Sequence, residues 1–556
     1  MTTTGSTELT ADVLVVGAGP CGITLANLLG RYGVSTLAVD ADTQVYPFPR
    51  AVGIDDESLR TYQTIGVVDR LLEDIVQNTP IRYHTSWGRM IAHVEPSIRP
   101  FGWPRRNLFL QPLFEAALRE HLAGRPSVTL RLGHRLLGFS QDADGVTAQL
   151  ESEGRPVVAR AKYLVAADGG RSTARGLAGI ELTGSTAPEK WLVVDVASDS
   201  LDEPYSAVYC DPERPVLVVP LPYGHRRFEF KITDSDDEDR LTDHDHVLTE
   251  LLAPRYHGRP LPQVLRARVY WHHSRTAERF QDGRVFLVGD AAHLQPPFFG
   301  QGMNSGIRDV TNLAWKLRDV LAGHASPRLL RSYDSERRDH ASKMVSFATR
   351  VGRMYSPRSR ASERARDVLF RGVQRIPGAK EYILQMKYKP MPRYVDGVVL
   401  GYAGRNPDTV VGRMFPQPEV ETVTGERVRL DDCLGAGWAV IGAHLDPAAA
   451  LGTEARTWWR GLGARFVTVA AQRGGPGPEP GQRRTRPGVA GNLPDDPQGV
   501  LVEDVDGALR DWLLRRPGDE VIVLRPDRYV AAVCAASELD RVTSSLRELL
   551  GVTPQL

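Results

Sequence analysis

Glycines with the spacing of a phosphate-binding loop stand near the start of this chain, in GAGPCG at residues 17–22. In such a loop the first glycine permits a tight turn, the second lets a diphosphate approach the backbone, and the third lets a helix pack closely on a strand. A helix that begins here directs its positive end at the diphosphate. Asp40 stands where an acid would accept hydrogen bonds from ribose hydroxyls. A glycine-rich turn without a ligand is the alternative interpretation.

A second group of polar residues, DGGRSTAR at residues 168–175, directly follows the apolar run YLVAA. Ser172 in this setting is typical of a residue that caps the start of a helix. Asp168, at the end of the apolar run, is equally suited to contact a ligand at the edge of a sheet. The residues alone therefore favour neither the cap nor the ligand site.

The third group is GDAAHLQPPFFGQGMNSG at residues 289–306, whose glycines and adjacent prolines exclude a regular helix or a central strand. Asp290 ends an apolar run, so its carboxylate is expected at the ligand-binding edge of a sheet. A helix beginning near Asn304 would point its positive end to the same place. Glycines at 300, 302 and 306 keep side chains away from a flat ligand.

The hydrophobic pattern predicts the elements that position these groups. Short apolar runs at residues 12–17 and 35–40, with a helix at 21–32 between them, predict a βαβ unit, and 284–290 predicts another buried strand. Alternating segments within 127–166 predict a small antiparallel layer that returns to the main sheet. Helices are predicted near 55–75, 111–122, 304–322 and 327–354.

A mostly β insertion is predicted between residues 180 and 280, from the runs WLVVDVA, VLVVPLP, RFEFKI and ARVYWHH, with a helix near 244–253. The acidic run 234–246 is a candidate metal site, but a solvated loop leading into a helix is favoured. A domain boundary is expected near 390–410. Beyond it, strands at AVIGAHL, RFVTVAA and EVIVLR alternate with helices near 455–462, 506–515 and 536–550, and 472–492 is predicted to be a disordered loop.

Composition limits the classes of function. A chain of 556 residues is expected to form two or three domains, and a net charge of +1 gives no reason to expect nucleic acid or an anionic membrane as partner. The four cysteines are far apart and form no C-x-x-C, which argues against a disulfide framework, a zinc site and a disulfide oxidoreductase, and favours a reducing cytoplasm. The start, MTTTGSTELTAD, lacks the basic region of a signal peptide. The uncharged run 13–30 is nearly long enough to span a bilayer, but its glycine spacing favours nucleotide binding.

The three groups, in this order, resemble the class A flavin-dependent aromatic hydroxylases, and most closely the members that act on 3-(3-hydroxyphenyl)propionate. The resemblance continues through residues 49–61, 101–112, 289–317, 332–341, 389–394 and 525–532. It implies an α/β chain with FAD, NADH or NADPH, and O2 as co-reactants. The implied architecture is a Rossmann-like FAD-binding domain at 1–180 and 276–395, a β-rich substrate-binding insertion at 181–275, and a thioredoxin-like domain without redox cysteines at 396–556.

The resemblance also implies which residues hold FAD. They are Gly17, Gly19, Pro20, Gly22, Asp40, Arg50, Gln111, Asp168, Asp290, Gly300, Gly302, Met303 and Asn304. Asp290 resembles the aspartate that binds the ribityl chain, and Arg50 an arginine near the mobile isoalloxazine. This chain departs from the family pattern at Asp40, where glutamate is common, and at Met303, where a tyrosine can stand; the second departure bears on substrate identity.

The substrate wall is expected on two sides of the flavin. Pro297, Phe298 and Phe299 would form one side, and strands near 205–230 and 268–275 the other. Tyr270 and His272 are candidates, with Arg50, for the catalytic set, and Arg227 and Arg275 for binding an acid side chain; a structural role is the alternative for each. His293 is a candidate base whose structural interpretation is favoured, and capping a helix is favoured over shaping a pocket for Asp55 and Asp56.

The resulting hypothesis is hydroxylation of a phenolic ring through a flavin C4a-hydroperoxide, on a small acid such as 3-(3-hydroxyphenyl)propionate or 3-hydroxycinnamate in aromatic catabolism. The same chemistry on a larger polyketide-type aromatic in natural-product biosynthesis is the first alternative. A silent flavoprotein whose C-terminal domain mediates protein contacts is the second. No second G-x-G-x-x-G is apparent, so NAD(P)H is expected to bind transiently at the flavin site. A homodimer and a cytoplasmic location complete the hypothesis.

Overall fold

A computed structural model describes residues 7–355, 359–401, 409–470, 499–513 and 521–552 of the chain. The loop predicted at 472–492 lies outside these residues. The described residues fall into two compact units, the first within 1–99, 103–314 and 337–391 and the second within 100–102, 315–336 and 392–556.

The first unit contains a mostly parallel sheet of eight strands. Its strands are Thr7–Val16, Thr36–Asp40, Val128–Leu132, Arg135–Gln141, Val146–Ser152, Arg155–Ala166, Gln281–Asp282 and Val285–Leu287. Thr7–Val16 is central and pairs in parallel with both Thr36–Asp40 and Arg155–Ala166. Arg155–Ala166 in turn pairs in parallel with Val285–Leu287. Apolar residues buried on both faces, such as Val13, Leu14 and Val15, explain why this sheet lies inside the unit.

A second sheet of the same unit is mixed and also has eight strands. Its order is His293–Leu294, Gln263–Ala277, Leu182–Ala197, His225–Lys231, Val216–Leu221, Ser206–Tyr209, Ile81–His84 and Met90–Val94. One face packs an apolar cluster that includes Leu192, Phe228 and Tyr256. The other face carries most of the polar residues discussed below.

The remaining elements of the first unit are a three-stranded sheet and a series of helices. The small sheet joins Gly53–Ile54, Asn107–Phe109 and Ile75–Val76. The α-helices are Pro20–Arg31, Asp56–Ile65, Val68–Leu72, Gln111–Leu122, Thr173–Leu177, His244–His246, Ala253–Tyr256, Arg360–Gln374 and Pro377–Leu384, with a π-helical turn at Val247–Leu252. Helices Gly302–Leu321 and Ser332–Tyr355 each contribute residues to both units. Short 3-10 turns are Arg240–Thr242, Gly289–Ala291 and Pro297–Phe299.

The second unit is built on a seven-stranded sheet. Its order is Arg427–Arg429, Glu419–Thr422, Gly499–Asp504, Arg465–Ala470, Ala439–Ala443, Val521–Leu524 and Val530–Cys534. Its α-helices are Leu430–Leu434, Thr453–Gly461, Ala508–Leu513 and Leu539–Leu549, with 3-10 turns at Pro327–Arg331 and Ala536–Glu538. A buried ionic cluster lies here: the guanidinium of Arg525 donates to both carboxylate oxygens of Glu336, at 2.7 and 2.8 Å, and Lys316 donates to the same carboxylate at 2.7 Å.

The βαβ unit, helix Gln111–Leu122 and the strands of the β-rich segment confirm the sequence prediction. The helical pattern predicted near 55–75 is confirmed as two helices, Asp56–Ile65 and Val68–Leu72, because Gly66, in the left-handed region at φ 90°, ends the first. The strand predicted at 284–290 is shorter, and Asp290 lies in the 3-10 turn that follows it. Strands Ile81–His84 and Met90–Val94 and helix Arg360–Gln374 were not predicted.

None of the helices in the described part of the chain has both the length and the apolar character required to cross a bilayer. The four cysteines, which the structure describes, are all free thiols.

Candidate active site

Four of the polar groups predicted from sequence meet at one edge of the parallel sheet. Strand Thr7–Val16 ends at the glycine loop, and strand Thr36–Asp40 ends at Asp40. Asp168 follows Arg155–Ala166, and Asp290 follows Val285–Leu287. The register pairs Val16 with Ala166 and with Val39, and Ala166 with Leu287, so the four strand ends are adjacent. The carboxyl edge of a parallel sheet is where α/β proteins bind ligands.

The glycine loop has the geometry that close packing and an approaching ligand require. Gly17 adopts φ +100°, in the left-handed region. A Cβ on Gly22 would lie 1.8 Å from the carbonyl oxygen of Gly17, so only glycine permits this contact between helix and strand. A Cβ on Gly19 would meet no atom of the described chain within 4 Å. Gly19 is also the cap of helix Pro20–Arg31, so the first amides of that helix face open space.

Asp40 and Asp168 are each held by backbone amides. Asp40 accepts hydrogen bonds from the amide of Ala18 at 2.6 Å and from that of Asp42 at 2.8 Å. Asp168 accepts from the amide of Ala174 at 3.0 Å through Oδ2, while its Oδ1 is buried and has no partner among the described residues. A buried oxygen without a partner is costly, and a hydrogen bond from a bound ligand would remove that cost.

A helix cap, one of the two interpretations of residues 168–175, is present, since Ser172 accepts from the amide of Arg175 at 2.9 Å. Because Asp168 retains an unpartnered oxygen beside this cap, the group has the features of both interpretations.

The side chain of Asp290 is accessible to solvent, yet many protein atoms surround its carboxylate. Desolvation raises the pKa of its carboxyl, and the nearby charges of His293 and Arg50 oppose the rise. It has no hydrogen-bond partner among the described residues. These properties describe a carboxylate that faces an internal cleft.

Helix Gly302–Leu321 begins beside the same sheet edge, after Gly300 at φ +60°. A Cβ on Gly300 would meet nothing within 4 Å, and one on Gly302 would meet only the Gln295 side chain, at 3.9 Å. Met303 is partly exposed. The backbone at 300–303 therefore borders open space, as expected for a segment that lies along a flat ligand.

The side chains of Gln111 and Asn304 contact protein groups rather than open space. Gln111 Oε1 accepts from the amides of Arg50 and Ala51, at 3.0 and 2.7 Å. Asn304 accepts from the amide of Asp55 at 3.1 Å and donates to the carbonyl of Gly300 at 2.7 Å. Both side chains thus fasten the segment around residues 50–58, and the backbone of residue 304 is the part that remains available to a cofactor.

The polar face of the second sheet carries a buried ion pair beside this segment. Arg227 donates to Asp195 at 2.8 and 3.1 Å. It also donates to the carbonyl oxygens of Arg50, at 2.8 Å, and Pro49. Its donors are therefore directed at protein groups, and they anchor the loop that carries Arg50.

A hydrogen-bonded chain follows on the same face. The Tyr270 hydroxyl donates to Glu229 at 2.9 Å, and Nε2 of His272 lies 3.2 Å from that hydroxyl. Desolvation raises the pKa of Glu229 and of Tyr270, and it lowers the pKa of His272 to about 3. His272 is consequently a neutral imidazole near pH 7, able to donate from one nitrogen and to accept at the other.

Aromatic rings close this end of the site. The Phe298 ring contacts His272 edge-on at 4.6 Å, and Trp191 stacks on His272 at 5.1 Å. A Cβ on Gly352 would lie 2.2 Å from the Phe298 ring, so glycine is required there for the ring to fit. Pro297 begins the 3-10 turn that presents Phe298.

Sequence reasoning missed Trp191, Asp195 and Glu229. An acid inside an otherwise apolar strand, as in WLVVDVA and RFEFKI, is a signal of a buried and paired charge that was available in the sequence.

Two other candidates, Arg275 and His293, do not belong to this hydrogen-bonded chain. Strand alternation places Arg275 on the opposite face of Gln263–Ala277 from Tyr270 and His272. His293 is fully buried against Asp309, with Nε2 2.7 Å from the carboxylate, which supports its structural interpretation.

The acidic run at 55–57 combines a cap with an ion cluster. Asp55 caps helix Asp56–Ile65 by accepting from the amide of Ser58 at 3.0 Å, as predicted. Lys389 donates to Asp55 at 2.8 Å, and Arg308 donates to Glu57 at 2.9 Å. The buried carboxylates therefore stabilise the packing of this helix rather than line a pocket.

The buried neutral state of His272 predicts a specific pH dependence of stability. Its pKa lies near 3 in the folded chain and near 6.5 when unfolded. Between these values the unfolded chain binds a proton that the folded chain does not, so stability is fully present above 6.5 and falls as pH drops through the window, by about 1.4 kcal/mol per unit. The melting temperature of His272→Gln should therefore fall less than that of the wild type between about pH 7 and about pH 5. His244→Gln, at an exposed histidine, is the control that should follow the wild type; equal losses in wild type and His272→Gln would contradict the assignment.

The open space at Gly19 and Gly300, the unpartnered oxygen of Asp168 and the cleft-facing Asp290 fit an extended dinucleotide with a flat ring at one end. Fold and site thus define a dinucleotide-binding protein of the mixed α/β class. Residues 10–348 match the family model described as FAD binding domain, and 412–549 match the one described as HcaD C-terminal domain. The chain belongs to the FAD binding domain family.

Relatives of similar length resemble this chain in sequence. The chain is 46% identical over 537 residues, 96% of both chains, to 3-(3-hydroxy-phenyl)propionate/3-hydroxycinnamic acid hydroxylase 2 of Burkholderia vietnamiensis. It is 43% identical to the 3-(3-hydroxy-phenyl)propionate/3-hydroxycinnamic acid hydroxylase of a Mycobacterium species, over 98% of this chain and 91% of the relative.

Solved structures share the fold. The flavin-dependent monooxygenase PieE, in complex with FAD and substrate, aligns with a TM-score of 0.77 at 21% identity, over 99% of this chain and 100% of PieE. Aklavinone-11 hydroxylase, in a ternary complex with FAD and aklavinone, aligns with a TM-score of 0.74 at 24% identity, over 97% and 99%. With the relatives above, these findings make the chain a flavin-dependent aromatic monooxygenase that uses FAD, with NAD(P)H as co-substrate.

Proposed function

We propose that the protein hydroxylates the ring of a small phenolic acid, with 3-(3-hydroxyphenyl)propionate and 3-hydroxycinnamate as the expected substrates. The names of the two relatives support this substrate class. The observation that carries the proposal is the chain from Glu229 through Tyr270 to His272, which ends beside the Phe298 ring. It offers a proton acceptor at an apolar wall, which is what a phenol needs to become electron-rich.

Bound FAD supplies the electron transfer by which NAD(P)H and O2 introduce one hydroxyl group, and the protein supplies orientation and electrostatics. We propose that the loop 17–22, Asp40 and Asp168 hold its ADP part. Asp290 would hold the ribityl chain, and the backbone at 300–304 would border the ring system. Arg50, fixed through its backbone by Gln111 and Arg227, would lie near the ring.

His272 is the residue we assign to accept the phenol proton. The Tyr270 hydroxyl donates its hydrogen to Glu229, so its oxygen accepts from Nε2–H of His272. This fixes the tautomer in which Nδ1 is the basic nitrogen. The low pKa of His272 favours sharing of the proton over its full transfer.

Water exclusion is the task of the aromatic wall, because water at this site would divert the reaction to hydrogen peroxide. Phe298 and Trp191 cover His272 from two sides. Arg227 is directed at Asp195 and at backbone carbonyls, so we assign it the positioning of the Arg50 loop rather than binding of the substrate carboxylate.

The proposal also includes the domain architecture of the chain. Strands between Leu182 and Ala277 form most of the second sheet, which supports a substrate-binding insertion at 181–275. In the second unit, Ala439–Ala443 pairs in parallel with Arg465–Ala470 and antiparallel with Val521–Leu524, which pairs antiparallel with Val530–Cys534. That order supports a thioredoxin-like domain at 396–556. A homodimer and a cytoplasmic location stay predictions.

Tyr270→Phe tests the proposed chain directly. Loss of the hydroxyl removes the hydrogen bond to Glu229 and the acceptor that orients His272, so hydroxylation should slow by about 100-fold, the scale of general acid–base assistance. FAD content should not change. The measurement is product formation by holoenzyme, with Tyr223→Phe, at an exposed tyrosine, as the matched control. An unchanged rate in Tyr270→Phe would remove the chain from the mechanism.

A substrate panel decides the substrate class. Purified holoenzyme is offered small phenolic acids and polycyclic phenols, and oxidation of NADH and NADPH is followed together with product mass. Stimulation by 3-(3-hydroxyphenyl)propionate or 3-hydroxycinnamate, with one added oxygen, is the expected result. Stimulation by a polycyclic phenol alone would contradict the proposal.

A further inference from the structure

An apolar cavity of about 320 Å³, partly open to solvent, lies in the first unit, and Glu229, Tyr270 and His272 are not among its lining residues. One wall is formed by strands Ile81–His84 and Met90–Val94. The facing wall comes from helices Ser332–Tyr355, Arg360–Gln374 and Pro377–Leu384. Its volume is at the lower end of the range of small-molecule sites, about 300–1,000 Å³.

The walls of this cavity are suited to an aromatic ring. Tyr83 and Ala92 line one side, and Phe347, Phe370 and Tyr388 line the other. Aromatic rings on both sides, together with small and branched apolar groups, favour a planar guest held by dispersion and by edge-on ring contacts.

The cavity adjoins the aromatic wall of the reaction site through Phe299. The Phe299 ring contacts Phe347 edge-on at 5.0 Å and lies 5.8 Å from Tyr388, and both of these residues line the cavity. Its neighbour Phe298 packs against the same apolar cluster and also contacts His272 at 4.6 Å. Two consecutive phenylalanines thus separate the cavity from the polar chain.

Two arginines line the cavity, and they differ in their partners. Arg366 donates to the carboxylate of Asp367 at 2.8 and 3.0 Å and to the carbonyl of Cys210 at 3.2 Å. Arg350 is exposed, and its guanidinium donates to the carbonyl of Ser346 at 3.3 Å. No acidic side chain of the described residues pairs with it. The cavity therefore combines an apolar interior with one cation that is not neutralised.

We propose that this cavity is a second binding site for arylalkanoic acids, which holds the acid on its way between solvent and the reaction site. The ring lies among the aromatic walls, the carboxylate pairs with Arg350, and Phe299 separates the two positions. The substrate class rests on the proposed function, because the guest is the same kind of phenolic acid. An arginine–carboxylate pair gives this site a selectivity for acids that the walls alone do not have.

The test compares Arg350→Gln with Arg353→Gln, a control at an exposed arginine of the same helix. Loss of a charged hydrogen bond should raise the KM for 3-(3-hydroxyphenyl)propionate at least about tenfold in Arg350→Gln, with kcat unchanged. A phenol without a carboxylate should show no such difference. Ala92→Phe, which fills the cavity, should raise KM for the acid in the same way.

Calorimetry of the holoenzyme with 3-phenylpropionate, which has no ring hydroxyl, gives an independent readout. Wild type and Arg353→Gln should bind two molecules per chain, and Arg350→Gln one. A single site in the wild type, or identical KM values in Arg350→Gln and Arg353→Gln during normal hydroxylation, would overturn the inference. Absence of hydroxylation in the wild type together with Arg350-dependent binding of 3-phenylpropionate would instead overturn the proposed function and leave the site standing.

Discussion

Asp290→Ala is expected to give a folded protein that retains almost no FAD. The Asp290 carboxyl carries a desolvation cost that raises its pKa, and no described residue donates a hydrogen bond to it. Its removal therefore costs the empty fold little, whereas the bound cofactor loses a charged hydrogen-bond acceptor. Loss of such a bond weakens binding by roughly 10- to 100-fold.

The measurement for Asp290→Ala is the ratio of flavin absorbance to protein after gel filtration, together with the melting temperature without cofactor. Asp69→Ala, at an exposed acid of the same unit, is the control and should keep its FAD. A variant that is as yellow as the wild type would refute the place assigned to this carboxylate. A colourless variant that also fails to fold would show that the role of Asp290 is structural.

The second large effect is expected for Arg227→Met. The substitution leaves Asp195 buried with Arg266 as its nearest remaining cation, at 3.7 Å. It also removes the hydrogen bonds that Arg227 donates to the carbonyls of Pro49 and Arg50, of which only Pro49 keeps a donor among the described residues, Arg266 at 3.4 Å. Breaking a buried pair by removing one partner costs about 3–5 kcal/mol. We expect a melting temperature several degrees lower, and weaker FAD retention because the Arg50 loop is released.

Two variants serve as controls for the lower melting temperature expected of Arg227→Met. Arg268→Met removes an exposed arginine of the second sheet and should leave the melting temperature unchanged. The double variant Arg227→Met/Asp195→Leu should recover part of the stability, because it leaves no buried charge without its partner. Equal melting temperatures for Arg227→Met and Arg268→Met would contradict the anchoring role.

Much of the cofactor site could be predicted from the sequence because its determinants are local. The glycines of residues 17–22 act on their own turn and helix, and an acid after an apolar strand lies at the sheet edge whatever the rest of the chain does. The structure agrees in both respects, although Asp290 lies in a short 3-10 turn rather than at a strand end. The bracing contacts of Gln111 and Asn304 were not predictable, because their partners lie 60 or more residues away.

The second sheet shows the limit of sequence reasoning more clearly. Tyr270 was named as a candidate, but its partner Glu229 follows from the pairing of strands that are distant in sequence. The different surroundings of Phe298 and Phe299 depend on helix Ser332–Tyr355 and on residues beyond it. Strands Ile81–His84 and Met90–Val94 are too short to give a clear periodic pattern, yet they form one wall of the second cavity.

The most direct test of flavin-dependent hydroxylation of a phenolic acid is incubation of holoenzyme with NADH, 3-(3-hydroxyphenyl)propionate and isotopically labelled O2. We expect substrate-stimulated NADH oxidation and a dihydroxylated ring that carries one labelled oxygen atom. Oxidation of NADH that yields only hydrogen peroxide, or a protein that takes up no FAD, would contradict this expectation.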